Sequence, residues 1–590
     1  MSIKKVHLRY SLDKKSKELD FIKSVSNNDL NIIFDTGEWN NGNRINMKIF
    51  PKTKMKIEEL YIETACDLKE DSLTYLNGYQ TWTDSREFKL SEKIPKLSRL
   101  VWPIMSMYGD YAFIKNKNKL SSWTYTYIKN SDEIELIGSL SESSGYTIFQ
   151  YDSNGVLTII KDCCGLVIDD EYEAFDIFAV KGEENFCFDK YFEAMKLPKP
   201  KVKSCTGWTS WYNYYTNITE DIILDNLKAF KSRNIPIDIF QIDDGYQEYV
   251  GDWLRINSKF PRGMKVIADE VKASGYKAGI WLAPFICEKK SEIYKKHPEW
   301  VIKKAGFNPG WSGMFYVLDF YNEEFRNYLR EVFKTVFEEW NYDMVKLDFL
   351  YAAALIERED KTKGQIMYEA MKFLRELAGD RLILGCGVPL GCSFGLVDYC
   401  RIGSDVALKW EDKLLKRLHY RERVSTINSL TSTIGRRHLN NRAFLNDPDV
   451  FIVRSKGVEL DKNQRYSLLL LNLIFGGLVF TSDNLDEYIE EEMKLYKSIF
   501  PIKDKKISKV IEDEILRVYF SIDDNEYLAL CNLNSEQVVI KNKDEVYFCR
   551  EKGYIPKNAV VTLEPYESIC LLKTENVDEN LLRSSNIFMI

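Results

Sequence analysis

From residue 205 onward, short apolar runs alternate with longer stretches whose apolar residues recur at threes and fours, and this alternation limits the fold more than any other feature of the 590-residue chain. Eight strand candidates fall at 205–211, 237–245, 276–285, 342–349, 381–389, 400–407, 443–453 and 476–484. Helical periodicity lies between most of them, for example at 219–234, 264–275 and 322–340. A strand–helix alternation of this kind requires a parallel sheet, and eight repeats of it close into a (β/α)₈ barrel. The third connection and the one between the fifth and sixth strands read as irregular.

The flanks have a different texture. Residues 1 to about 190 alternate short polar and apolar segments with turn chemistry such as Asn-Gly and Asp-Ser-Asn-Gly, the pattern of antiparallel strands. Pro198 and Pro200 then interrupt regular structure and mark a linker. After about 500 short strands return. The expected organisation is an α/β chain with an N-terminal β-sandwich over 1–195, a central (β/α)₈ TIM barrel over 196–500 and a C-terminal antiparallel β-sandwich over 501–590. The last fifteen or so residues read as weakly anchored.

Composition narrows the partners. A net charge of −7, with no basic run interleaved with aromatics, argues against nucleic acid. No apolar span reaches bilayer length, and the first residues lack the apolar core of a secretory signal, so no membrane partner and a cytoplasmic location are expected. Twelve cysteines without a CxxC and four histidines without a ligand pattern predict neither a disulfide framework nor a metal, and no cofactor is expected. Aromatic residues make up 13% of the chain, and their rings suit sugar faces as well as cores.

In such a barrel the active site lies at the C-terminal ends of the strands. Four candidate strands end there in carboxylates: Asp243-Asp244-Gly245 in the second, Asp348 in the fourth, Asp405 in the sixth, and Asn446-Asp447-Pro448-Asp449 in the seventh. Lys346 and Asp348 are two apart and share a strand face, so the ammonium is expected to keep Asp348 ionised as a nucleophile. A structural ion pair fits the same two residues. Asp405, behind Arg401 and Gly403, is the candidate general acid/base, although a turn-capping Asp fits that motif equally. Of the adjacent pair, one aspartate is expected to bind sugar hydroxyls and the other to face the rim. Trp208, Trp211 and Trp281 are candidate stacking rings, each of which a core position also explains.

Taken together and in order, GWTSWYNYY, IFQIDDGYQ, GIWLAPF, VLDFYNEEFRNYL, VKLDF, ILGCGVPL and RIGSDVA resemble the microbial α-galactosidases of glycoside hydrolase family 36. The resemblance implies an exo-acting, retaining double displacement with Asp348 as nucleophile and Asp405 as acid/base. Carboxyls about 5–6 Å apart are the mark of retention. It also implies a −1 subsite lined by Asp243, Asp244, Lys346, Arg401, Trp211 and Trp281, covered by Trp82 from Asn77-Gly78-Tyr79-Gln80-Thr81-Trp82. The substrate implied is a carbohydrate with a terminal α-galactosyl residue, and members of the family often form homo-oligomers.

Two departures stand out. Many members have Trp where this chain has Tyr246, and Gly385–Phe394 replaces a Cys/Gly-rich loop that contacts the sugar's 2-position in several relatives. An α-N-acetylgalactosaminidase is therefore the alternative on the same machinery. Behind it stand a transglycosylase and a catalytically silent sugar-binding protein.

Overall fold

The computed structural model describes residues 2–66, 68–111, 119–152, 155–542, 545–549, 552–574 and 587–589. Most of the final fifteen residues, expected to be weakly anchored, lie outside these. The barrel strands are Cys205–Thr209, Ile239–Ile242, Lys277–Leu282, Met344–Leu347, Leu382–Gly385, Tyr399–Arg401, a seventh in two pieces, Leu445–Asp447 and Val450–Phe451, and Leu478–Thr481. All neighbours pair in parallel, and the first strand pairs with both the second and the eighth. The seventh strand closes the ring: its first piece pairs with the sixth strand and its second with the eighth. Between the pieces sits Pro448, which has no N–H to give a ladder, followed by Asp449 at a φ of 75°.

The observed strands are shorter than their apolar runs. The runs continue past the last ladder bond into the loops of the site, and the sixth strand ends at Arg401, leaving Asp405 in the loop beyond it. Helices Glu220–Ser232, Met264–Ala273, Glu323–Lys334, Lys363–Ala378, Thr426–Gly435 and Lys462–Phe475 lie between strands. The third connection carries an antiparallel sheet of Ile286–Glu288, Val301–Asn308 and Gly313–Leu318, and the fifth-to-sixth carries only the 3₁₀ turn Leu390–Ser393. Helix Lys462–Phe475 is buried from Ser467 to its end, because its outer face meets the C-terminal domain, where the Ser467 hydroxyl donates to the Tyr566 carbonyl. Among the described residues no helix is long and apolar enough to cross a membrane.

Before the barrel stand two antiparallel sheets of seven and eight strands within Ser2–Gly182. After it come sheets of six and two strands between Lys506 and Lys573. Helix Glu184–Met195 breaks the all-strand expectation for the first 195 residues. Its buried Phe188, Tyr191 and Phe192 follow helical spacing, and Phe188 stacks on His438 of the barrel at 3.7 Å between ring centroids.

A buried cation fastens the N-terminal domain to the barrel mouth. Arg436, fully buried after helix Thr426–Gly435, donates to Asn77 Oδ1 and to the carbonyls of Gly78, Gln80, Thr81 and Ile402. The preceding residue is Gly435, where a Cβ would sit 2.1 Å from the Ser85 carbonyl oxygen. Alongside, buried Glu422 accepts from Thr83 Oγ1 at 2.7 Å and from the Tyr111 hydroxyl, and Arg421 bridges Asp84 and Asp110. Burial pushes the Glu422 carboxyl up to about 7, against the opposing pull of Arg421 and the two hydroxyl donors.

Two outcomes follow. Arg436→Met leaves five buried acceptors without their donor and should cost about 3 kcal/mol in urea unfolding; an unchanged midpoint would remove the clamp from the account. For Glu422 the folded chain keeps a proton that the unfolded chain releases between its ordinary 4.5 and about 7, so its contribution to stability falls as pH rises through that window. Midpoints of Glu422→Gln against pH should therefore decline less steeply there than those of the parent, and parallel curves would contradict the assignment.

Candidate active site

Asp348 follows directly on the fourth strand, whose four residues are all buried, so its position is fixed by the barrel core beneath it. It is 7% exposed, accepts from Trp281 Nε1 at 3.1 Å through Oδ2, and accepts from its neighbour Phe349 N–H at 2.8 Å through Oδ1. Phe349 takes a left-handed φ of 53°, which turns the chain sharply away and leaves the carboxylate at the mouth. The direct Lys346–Asp348 ion pair, the alternative reading of these two residues, does not form. Lys346 Nζ donates instead to Asp243 Oδ2 at 2.8 Å, and it reaches Asp348 only through its field. Burial raises Asp348 above the ordinary carboxylate range, and Asp405 adds to this; Lys346, the Trp281 indole and the Cys386 thiol oppose it. Burial also works against the charge of Lys346, but Asp243 and Asp348 more than offset it and hold the ammonium protonated.

Neither aspartate of the adjacent pair faces solvent. Asp243 also accepts from Gln241 Nε2 at 2.8 Å, while Asp244 accepts from Gln247 Nε2 at 2.6 Å and from Trp311 Nε1 at 2.7 Å. Burial pushes Asp244 up to about 6 despite these two donors. Tyr246 is fully buried, its hydroxyl donates to the Trp281 carbonyl at 3.1 Å and its ring lies edge-on to Trp340, so it holds the Trp281 backbone and is no part of the rim.

Arg401 organises the opposite wall. Its guanidinium is 3% exposed and forks to three carboxylates: Nη1 to Asp405 Oδ1 at 2.7 Å, Nε to Asp447 Oδ2 at 3.1 Å and Nη2 to Asp449 Oδ1 at 2.8 Å. Asp405, at 34%, is the most exposed of the three. Asp447 and Asp449 were visible as a carboxylate-ended strand, but nothing in the spacing linked them to Arg401; the broken seventh strand does that.

Trp82 reaches the site from the N-terminal domain. Its Nε1 donates to Cys386 Sγ at 3.3 Å, and its ring lies edge-on to Phe349 with centroids 5.2 Å apart. Gly387 has φ 61° and backs onto this indole, where a Cβ would come within 2.9 Å of it. Only the start of the 385–394 loop borders the carboxylates. Cys392 turns to the carbonyls of Glu142 and Gly364, and Phe394 packs on Phe192 and Phe444. Trp211 is half-buried and edge-on to Tyr215, without a hydrogen bond to the cluster among the described residues. Trp208 is core, stacked on Phe240. The residue that sequence reasoning missed is Trp311, from the antiparallel insertion in the third connection, which packs between Trp281, Phe315 and Phe349.

No group of three or more His, Cys, Asp or Glu among the described residues is arranged to hold a metal ion. A separate cavity of about 890 Å³ lies at the other pole of the barrel, lined by Ser204, Leu445 and Gly476 at the strand starts and by Lys505 of the C-terminal region. It contains none of the carboxylates above.

A family model described as melibiase matches residues 206–375, which carry Asp243, Asp244, Lys346 and Asp348 and stop short of Asp405. The chain is 26% identical over 163 residues to an α-galactosidase of Escherichia coli and 29% identical over 165 residues to the α-galactosidase Mel36A of Lactobacillus acidophilus, each match covering 26% of this chain. These matches span only 23% and 22% of the relatives' own length. An α-galactosidase of Thermus thermophilus, solved with p-nitrophenyl α-D-galactopyranoside, superposes with a TM-score of 0.69 at 25% identity, over 87% of this chain and 97% of that one. The family 36 α-galactosidase AgaA of Geobacillus stearothermophilus shares the fold at 13% identity, with a TM-score of 0.63 over 92% of this chain and 81% of that one. By its motifs and these likenesses, residues 206–375 are similar to the melibiase family, and the chain as a whole shares the fold of the family 36 α-galactosidases.

Proposed function

We propose that the protein is a retaining, exo-acting glycoside hydrolase that releases terminal α-linked D-galactose from oligosaccharides or glycoconjugates. The observation that carries this reading is the pairing of a buried carboxylate, Asp348, held by an indole N–H, with a partly exposed one, Asp405, whose field reaches it from the opposite wall. Asp348 attacks the anomeric carbon while Asp405 gives its proton to the departing glycosidic oxygen. The resulting β-glycosyl ester is opened by a water that Asp405 deprotonates, returning Asp348 to its carboxylate and leaving an α-hemiacetal. Asp243, Asp244 and Lys346 supply acceptors and a donor for sugar hydroxyls, and Trp281, Trp211 and Trp82 supply apolar surfaces.

Galactose is favoured over N-acetylgalactosamine because the one stretch of the 385–394 loop that borders the site has no slack. Gly387 donates its N–H to Thr81 Oγ1 at 2.8 Å and is backed by Trp82, so it cannot retreat from an acetamido group. All twelve cysteines are free thiols, which fits a cytoplasmic setting that fractionation of the host cell would check.

Hydrolysis of p-nitrophenyl α-galactoside should exceed that of its α-N-acetylgalactosaminide by about 10-fold or more, with Asp348→Ala inactive toward both. Proton NMR of the first turnovers should show the α-anomer forming before mutarotation. Initial release of the β-anomer would overturn the double displacement, and a preference for the N-acetylated sugar would overturn the assignment at the 2-position.

A further inference from the structure

A general acid placed 2.7 Å from an arginine is in an awkward position, because the nearby positive charge favours loss of the proton the acid must donate. Asp405 is so placed, and among the described residues Arg401 is the only side chain hydrogen-bonded to its carboxyl, at 2.7 Å. The structure nevertheless spends most of the arginine's charge elsewhere. Asp447 and Asp449, 4% and 1% exposed, take its Nε and Nη2, so the fork as a whole holds one cation against three carboxyls. Asp449 is the better connected. It accepts from the Tyr212 hydroxyl and from Val406 N–H at 2.8 Å, and Val406 directly follows Asp405 in the chain. Burial, Asp405 and Asp447 push the Asp449 carboxyl up to about 7, with Arg401 and Tyr212 pulling the other way.

Resting on the reading of Asp405 as acid/base, we propose that Asp449 is a positioning residue for it: Asp449 offsets the charge of Arg401 and, with Tyr212 and Val406, fixes the loop that carries Asp405. The guanidinium then orients the acid without taking over its proton. Asp449, 1% exposed, acts through Arg401 and through the loop bond to Val406. The other groups that face Asp405 are Asp348, Cys386, Tyr212, Tyr215 and Tyr420. Burial raises the thiol and the three phenols, which therefore stay neutral, and it raises Asp348 above the ordinary carboxylate range.

The test is the pH profile of kcat/KM on an alkyl α-galactoside, whose poor leaving group needs the proton. Asp449→Asn keeps the size of the side chain and removes its charge. It should move the alkaline limb about one pH unit toward acid, with kcat/KM on the acid side within a few-fold of the parent. If Asp449→Asn does not fold, Tyr212→Phe decides. Losing the phenol donor leaves Asp449 less able to hold its charge, so the limb should move toward acid as for Asp449→Asn, but by less. A merely structural role would lower activity without moving either limb, and that result overturns the inference. Asp405→Ala, run alongside, separates the two levels. If it leaves the alkyl galactoside turning over normally, the acid/base assignment fails and this inference with it. If it abolishes turnover while Asp449→Asn leaves the limb in place, the inference alone falls.

Discussion

The barrel mouth buries more carboxylates than cations, and the surrounding structure answers to that imbalance. Asp243, Asp244, Asp348, Asp447 and Asp449 are all under a tenth exposed, with Lys346 and Arg401 as the buried cations among them. Uncompensated, such a set would either take up protons or fail to fold. The compensation is a division of labour: Lys346 is given to Asp243, Arg401 is split three ways, and the carboxylates left over are met by neutral donors, the indoles of Trp281 and Trp311, the amide of Gln247 and the hydroxyl of Tyr212. Neutral donors hold a carboxylate in place without fixing its charge.

How far the sequence revealed this depends on the scale of the feature. The barrel was legible because its strands are buried on both faces and read as unbroken apolar runs, and because strand ends place carboxylates at one pole. Asp348 and Asp405 could be picked out by their position in those runs. Their partners could not. Lys346 and Asp348 share a strand face, and that suggested a pair; the nearer acceptor proved to be Asp243, on a strand two places round the ring, and register across strands is not written in either segment alone. Asp449 required knowing that the seventh strand breaks at Pro448, and Trp311 lies in an insertion whose strands pair only with each other. Helix Glu184–Met195 was overlooked because it follows a long strand region without a strong cap: Glu183 makes no side-chain capping bond.

Trp82 shows the limit from the other side. As a residue of a turn in a sheet domain it carries no signal of its own, and only the family resemblance suggested its place. The structure supplies the physical reason, since the Asn77–Ser85 segment is gripped at once by Arg436, by Glu422 and by the bare face of Gly435.

That grip also bears on the order in which the molecule can come together during synthesis. Arg436 and Thr81 are 355 residues apart, so the N-terminal sheets have emerged from the ribosome and can collapse long before the clamp that anchors their Trp82 segment exists. The first sheets must therefore be stable with that segment unheld, and the barrel mouth is completed only after most of the barrel has been made. A nascent chain halted before the sixth barrel strand would carry Asp348, but neither Asp405 nor the Arg401 wall that faces it.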